Sequence, residues 1–242
     1  MSSPFHLSFE FFPPKSAEGK INLHKTALAL AEQQPNFFSV TFGAGGSTRA
    51  GTLDSVALLQ QETAIPVTPH LACLGSSKAE LVELLLHYKS LGIKRLVALR
   101  GDMPAQLCKH HDVPYASDLV QLIRETTQDH FHIEIAAYPE FHPQSTNAIA
   151  DMGHFKAKVD AGADSAITQY FYNPDAYFAF LDYCAKLGIF IPVTPGIMPI
   201  TNYEKLVNEV DITKLGCPVP QPKFTKRPSA KTIMRLPSGK IT

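Results

Sequence analysis

No apolar run in the sequence approaches the roughly 20 residues that a membrane-spanning helix needs, which excludes a helical membrane protein. The 22 basic residues cancel the 22 acidic ones, so no global field gathers nucleic acid or an anionic membrane surface. The four cysteines, Cys73, Cys108, Cys184 and Cys217, are far apart and form no C-x-x-C. That argues against a zinc ribbon or a thioredoxin-type redox site and fits free thiols in a reducing compartment. The first residues, MSSPFHLSFEFF, carry no charged region ahead of their apolar residues and so do not read as a signal peptide. There is no G-x-G-x-x-G, no Walker loop and no G-x-S-x-G, which removes the Rossmann, P-loop and α/β-hydrolase signatures. No set of His, Asp and Glu has metal-ligand spacing; His110 and His111 stand alone in a polar loop. The expectation is a soluble, cytoplasmic protein with no metal, no nucleic-acid partner and no membrane.

What the chain does have is a large apolar fraction, 45% of 242 residues, against 18% charged. That is enough to fill the core of one large domain. Short apolar, β-branched or aromatic runs recur at LSFEFF (7–12), FFSVTF (37–42), IPVTPHLA (65–72), KRLVAL (94–99), HIEIAAY (132–138), SAITQYF (165–171) and FIPVTPGI (190–197). Between them lie stretches of helical period, such as AELVELLLHYKSLG and PDAYFAFLDYCAKLG. Gly92, Gly162 and Gly188 stand where left-handed helix C-caps belong. Alternation of this kind predicts βαβ units and a parallel sheet.

Seven such units are visible. They suit either a (β/α)8 barrel of the TIM type, typically about 250 residues, or a doubly wound open sheet. Polar residues punctuate the ends of successive strands: Glu10, Thr41, His70, Arg100-Gly101-Asp102, Tyr138 and Gln169. In a barrel all these ends face one mouth; in an open sheet only those beside one switch point meet. The barrel is therefore the expected fold, with its eighth strand missing or atypical. The last 31 residues differ in character. From Ile212 to Thr242 there are seven basic residues, no acidic ones and five prolines, leaving 15 basic against 22 acidic residues before them. Proline at that density keeps out of helices and central strands. The expected organisation is a barrel domain over 1–211 and an irregular basic tail over 212–242.

Within this frame Glu10 is the first candidate for chemistry. In SFEFFPP the alternation places Phe9 and Phe11 on one face and Glu10 with Phe12 on the other. A carboxylate among aromatic rings has its pKa raised by desolvation, which suits a general acid near neutrality; a solvated strand glutamate is the plainer alternative. Arg100, Gly101 and Asp102 combine an anion-binding side chain, a backbone that allows close approach and a carboxylate, or else form an ordinary loop salt bridge. The GAGGS loop (43–47) could offer backbone amides to an anion. After the fifth run come Tyr138 and His142, and then Asp151 and Lys158, seven apart and so two turns apart on one helix face.

Taken in order and spacing, SFEFFPP, SVTFGAGGS, PHLAC, ALRGD, YASDLV, AAYPEFHP, KVDAGAD, ITQYFYN and PGIMPI closely resemble the bacterial, single-domain methylenetetrahydrofolate reductases, from about Leu7 to Val210. The resemblance implies a (β/α)8 barrel that holds FAD without a Rossmann motif. It implies reduction of 5,10-methylenetetrahydrofolate to 5-methyltetrahydrofolate by NADH or NADPH, supplying methyl groups for methionine synthesis, in a homo-oligomer. Carried over by position, Glu10 matches the general acid and Asp102 an aspartate near the flavin and the pterin ring. Thr41 matches a threonine near the nicotinamide site, and Gln169 a glutamine that contacts folate and NADH. The implied FAD contacts are Phe42 (commonly Tyr), Ala44, His70, Arg100, Gly101, Asp102, Tyr115, Ala116, Tyr138, His142, Asp151 and Lys158. Two positions depart from the pattern: His154 stands where Asn is familiar, and Ala157 where Arg is familiar, so that Lys158 would carry the phosphate contact.

The motifs stop near Asp211, and the family's late glutamine-bearing segment and folate-contacting arginine have no counterpart here. KTIMRL (231–236) is the one stretch of the tail suited to pair with an open strand edge. Weak stability is the expectation. The alternative to an active reductase is a catalytically impaired remnant that binds flavin or a partner without turning over folate. A flavin-free lyase or aldolase barrel is disfavoured, since neither Lys94 nor Lys158 sits at a strand end as a Schiff-base lysine would.

Overall fold

The computed structural model describes residues 6–42, 49–101, 112–140, 142 and 145–198, all within the compact unit Met1–Pro199. Seven strands alternate with six helices: β1 (Ser8–Phe11), α1 (Ala17–Ala31), β2 (Phe37–Val40), α2 (Arg49–Glu62), β3 (Val67–Ala72), α3 (Lys78–Ser90), β4 (Arg95–Leu99), α4 (Ala116–Thr127), β5 (His132–Ala137), α5 (Ala148–Asp160), β6 (Ser165–Thr168), α6 (Pro174–Lys186) and β7 (Val193–Thr194). Each predicted apolar run contains one strand. Local chemistry sets the helix ends: Ser77 and Glu80 form a reciprocal capping box at α3, and Asn147 and Asn173 cap α5 and α6. Gly92, Gly162 and Gly188 take the predicted left-handed conformation behind α3, α5 and α6.

All six pairings are parallel and the strand order is strictly sequential, β1 to β7. This settles the choice of fold. A doubly wound sheet reverses its order at a switch point, whereas crossovers of one hand between sequential strands carry every helix to the same face and curl the sheet toward a barrel. The described residues make up seven strands of such a TIM-type barrel, and β1 and β7 pair on one side only among them.

The core lies between sheet and helices. Phe11, Phe38 and Val40 cluster with Leu23 and Ala27 of α1 and with Val56 and Leu59 of α2. Phe11 meets Phe38 edge-on at 5.1 Å. Alternation then turns the other set, Glu10, Ser39, Thr41, Thr68 and His70, to the inner face of the sheet. The inner face is polar lower down as well. Arg95 bonds Glu134, its guanidinium lies 4.8 Å from the centre of the Phe37 ring, and His132 meets Ser165 Oγ at 2.7 Å.

β3 differs from expectation in one respect. The strand continues to Ala72, so His70 lies inside it instead of at its end. Val67 to Pro69 align with β2, and the pairing with β4 runs from His70 to Ala72. The change of partner falls at Pro69, which has no N–H to give.

Candidate active site at the carboxyl ends of the strands

Glu10 stands beside Ser39 in register, and Ser39 beside Thr68. This row brings Glu10 within reach of His70, with Oε2 3.4 Å from Nε2. The two side chains differ in exposure, 49% for Glu10 and 8% for His70. Burial pulls the His70 imidazole down to about 4, and it lifts the Glu10 carboxyl above its ordinary value. At neutral pH His70 is therefore uncharged, and the contact is not an ion pair. His70 Nε2, Thr41 Oγ1 and Thr68 Oγ1 are buried polar atoms without a hydrogen-bond partner in the structure. Buried polar atoms of this kind are normally matched by water or a ligand.

The depressed His70 pKa has a consequence for stability. The unfolded chain takes up a proton near pH 6.5 that the folded chain resists until about 4. Stability attributable to His70 is thus intact above pH 6.5 and lost as pH falls toward 4, by ~3 kcal/mol in all. Urea unfolding at pH 7 and near pH 4.5 should show this loss in the natural chain and a smaller one in His70→Gln.

Thr41 follows β2, and its backbone carbonyl accepts a hydrogen bond from the Thr52 hydroxyl at 3.0 Å. Phe42 is next to it and half-buried. After β4, the Arg100 carbonyl accepts from Leu74 N–H at 2.9 Å, and Gly101 adopts a φ of +86°. A Cβ at Gly101 would meet Ala72 Cβ at 3.0 Å, so the position is restricted twice, by conformation and by space. Tyr115 caps α4 with its ring exposed, and Ala116 begins that helix. Ala44 and Asp102 lie outside the described residues.

Around β5 and α5 the structure brings together four predicted residues. The Tyr138 and His142 rings pack edge to face at 4.6 Å. Asp151 is buried and accepts from Ser145 Oγ at 2.8 Å. Lys158 turns its Nζ inward to the Ala136 carbonyl, 5.4 Å from the Phe155 ring centre. Burial lowers the Lys158 amine to about 8, and Asp151 opposes that shift. A cleft of about 420 Å³ opens between α5 and α6, lined by Tyr138, Ile149, Asp151, Met152, Phe180 and Tyr183. Gln169, behind β6, is exposed and fixed through its N–H to the Ala137 carbonyl at 2.8 Å.

Lys158 also yields a prediction. Its cost to the fold is absent above pH 10.5, grows as pH falls to about 8 and is constant below. Lys158→Met should therefore stabilise the chain at pH 7 by on the order of 1–2 kcal/mol, with the gain shrinking toward pH 10. Denaturation midpoints at the two pH values check it.

Several inward groups were not among the sequence candidates: Thr68, Ser39 and the Arg95–Glu134 pair with His132 and Ser165. The alternation in HIEIAAY is the signal that could have marked Glu134. No group of three or more His, Cys, Asp or Glu that could hold a metal occurs among the described residues, and no described helix is long and apolar enough to cross a membrane.

Fold and site together define a TIM-type α/β barrel with acid–base and cationic side chains gathered at the carboxyl ends of its strands, where enzymes of this architecture keep their active sites. Solved structures agree on the fold. One is a Clostridium thermocellum protein described as binding two copies of 5-methyl-5,6,7,8-tetrahydrofolic acid, with a TM-score of 0.57, 16% identity and coverage of 78% of this chain and 65% of that one. Another is a phosphonopyruvate hydrolase, with a TM-score of 0.55, 12% identity and coverage of 86% and 71%. The family is given by sequence. The profile of the family described as methylenetetrahydrofolate reductase matches residues 2–227, past Asp211, where the recognisable motifs end. The 5,10-methylenetetrahydrofolate reductase of Buchnera aphidicola from Schizaphis graminum is 41% identical over 218 residues, covering 90% of this chain and 73% of that protein. The Escherichia coli K12 enzyme of the same name is 39% identical over 213 residues, covering 88% and 71%. A rice protein named probable methylenetetrahydrofolate reductase (NADH) is 40% identical over 224 residues, 87% of this chain and 38% of its own length. The chain belongs to the methylenetetrahydrofolate reductase family of oxidoreductases.

Proposed function

We propose that the chain reduces 5,10-methylenetetrahydrofolate to 5-methyltetrahydrofolate with FAD as cofactor and NADH or NADPH as reductant, in the cytoplasm, as a source of methyl groups for methionine synthesis. The observation that carries this reading is Glu10. It is a half-exposed carboxyl at the barrel mouth, lifted in pKa by burial and set beside an uncharged His70, in a chain of this family.

The residues present are suited to a flavin dinucleotide. Lys158 supplies a cation for a phosphate, Gly101 a stretch of backbone without a side chain in the way, and Tyr138 and Asp151 line a cleft. When bound, the flavin would accept a hydride from the nicotinamide and pass it to the folate. Arg100, His142, Tyr115, Ala116, Phe42 and Ala44 are the further contacts proposed for it. Thr41 is proposed for the nicotinamide side, and Asp102 and Gln169 for the folate.

The chain's own chemistry is proton transfer. Opening the five-membered ring of the substrate requires a proton on the departing folate nitrogen, and only a carboxyl that holds a proton near neutrality can deliver it. Burial moves Glu10 toward that condition by raising its carboxyl above the ordinary value. A negative Asp102 near the pterin would stabilise the cation that ring opening leaves on the substrate.

The purified chain should show the visible absorption of an oxidised flavin and lose it on anaerobic addition of NADH. A colourless protein that takes up no added FAD would overturn the reading and leave a remnant without catalysis.

A further inference from the structure

We infer that His70 is a positioning residue for Glu10: an imidazole whose bare Nε2 accepts a hydrogen bond from the Glu10 carboxylic O–H and keeps the acid protonated and aimed at the mouth. The inference rests on the reading of Glu10 as general acid. His70 is set deep in the inner face by β3, not at the strand's rim. It is nearly inaccessible; its Nε2 lies 3.4 Å from Glu10 Oε2, close but not aligned as a hydrogen bond, and no other group satisfies that nitrogen, so the Glu10 carboxyl is the polar group placed to do so. A buried nitrogen in that position is either a donor or an acceptor toward the carboxyl, and the location of the pair's proton decides which.

In water a carboxylate and an imidazole would share their proton as an ion pair, with the imidazole charged. Here burial reverses the order: the imidazole is pulled to about 4 and the carboxyl is raised. The proton therefore stays on oxygen, and the O–H is placed to donate a hydrogen bond to Nε2. Among the described residues no charged neighbour contributes to either shift, which burial causes. From β2 come Ser39 and Thr41 and from β3 Thr68, all uncharged; β4 presents Val97 beside His70, and the charges of Arg95 on β4 and Glu134 on β5 are paired with each other.

The step balances simply. The Glu10 O–H turns from Nε2 to the mouth and breaks as an N–H bond forms on the departing folate nitrogen; the bond from that nitrogen to the methylene carbon breaks, leaving a methylene iminium on the substrate and a carboxylate on Glu10. That carboxylate would face the lone pair of Nε2, an unfavourable contact, so Glu10 is driven to recover a proton from water on its exposed side. His70 keeps one charge state throughout.

The test is the tautomer. In the full chain with its cofactor, uniformly 15N-labelled histidine distinguishes a bare from a protonated ring nitrogen, and His70→Gln assigns the signal. The expected result is a bare Nε2 with protonated Nδ1, unchanged between about pH 8 and about pH 5.5. A protonated Nε2, or an imidazolium in that range, overturns the inference. Kinetics provide the second arm. His70→Leu should slow the folate half-reaction at least about tenfold more than flavin reduction, within the roughly 10²–10⁴-fold that a positioned acid contributes. His70→Gln, whose side-chain oxygen can accept the same proton, should recover most of that loss. Equal loss of both half-reactions, or no recovery with Gln, would reduce His70 to a cofactor contact or a packing residue. Glu10→Gln separates the two readings. If it spares the folate half-reaction, the acid reading itself fails; if it impairs that half alone while Nε2 is protonated, only the role of His70 is lost.

Discussion

Glu10→Gln is expected to slow folate reduction by about 10²–10⁴-fold, the span a positioned general acid supplies, while reduction of bound flavin by nicotinamide stays close to that of the natural chain. The asymmetry follows from the chemistry. Hydride transfer from nicotinamide calls for no acid, whereas opening the folate ring calls for one proton at one nitrogen. Gln keeps the size of the side chain and its reach to His70 but has no acidic proton to lose. Stopped-flow measurement of the two half-reactions with a single preparation reads both numbers. Equal loss in both would show that Glu10 holds the cofactor or the fold and is not the acid.

The largest effect on stability is expected at Arg95→Ala. Glu134 is 5% exposed, and Arg95 is its ionic partner on the neighbouring strand. Burial already raises the Glu134 carboxyl, with Arg95 opposing the shift. Removing the guanidinium leaves a buried carboxylate uncompensated, a change that costs about 3–5 kcal/mol in buried pairs generally. Arg95 is itself one-third exposed, so the lower end of that range is expected, and the Phe37 ring loses its cationic neighbour as well. The pH dependence has a definite sign. Glu134 in the variant has a folded pKa above its unfolded one, so the variant is least stable at high pH and recovers as pH falls and the carboxyl takes a proton. Glu134→Gln in the same background should restore part of the loss at pH 7. Urea unfolding of the two variants settles the matter; a change under 1 kcal/mol would mean that solvent already reaches the pair.

The architecture was legible because the residues that make the strands also interrupt the helical period. FFSVTF, KRLVAL and SAITQYF are too short and too β-branched or aromatic for helices, and the glycine caps behind α3, α5 and α6 mark where each helix stops. Thr41, Tyr138 and Gln169 were legible as polar residues closing apolar runs, and Glu10 as a carboxylate alternating with Phe9 and Phe11 inside β1. His70 was legible as a candidate but not in its place. The period of a strand tells which face a residue takes, whereas its depth depends on the stagger between neighbouring strands, here the change of partner at Pro69. The Glu10–His70 contact joins two strands 60 positions apart and has no local signature. Glu134 and Arg95 were overlooked for a related reason: a polar residue alternating with apolar ones reads as facing water, but in a barrel that face is the interior. Ala44, Asp102 and the tail from Ile212 lie outside the described residues; the first two are assigned by family resemblance and the tail by its proline and charge content.

The sequential strand order also governs how the chain can be assembled. Paired strands are joined only to their immediate predecessors, at separations of 27 residues (His70 to Val97) to 37 residues (Arg95 to His132). Each new βα unit emerging from a ribosome therefore finds its partner already present and exposed, and no pairing in the described sheet has to wait for a distant segment. Contacts of such short span close small loops and favour rapid folding. Synthesis from the N-terminus would complete the β1–β3 row that carries Glu10, Thr41 and His70 first. The acid and its neighbours would be in place before the cleft between α5 and α6 has been translated.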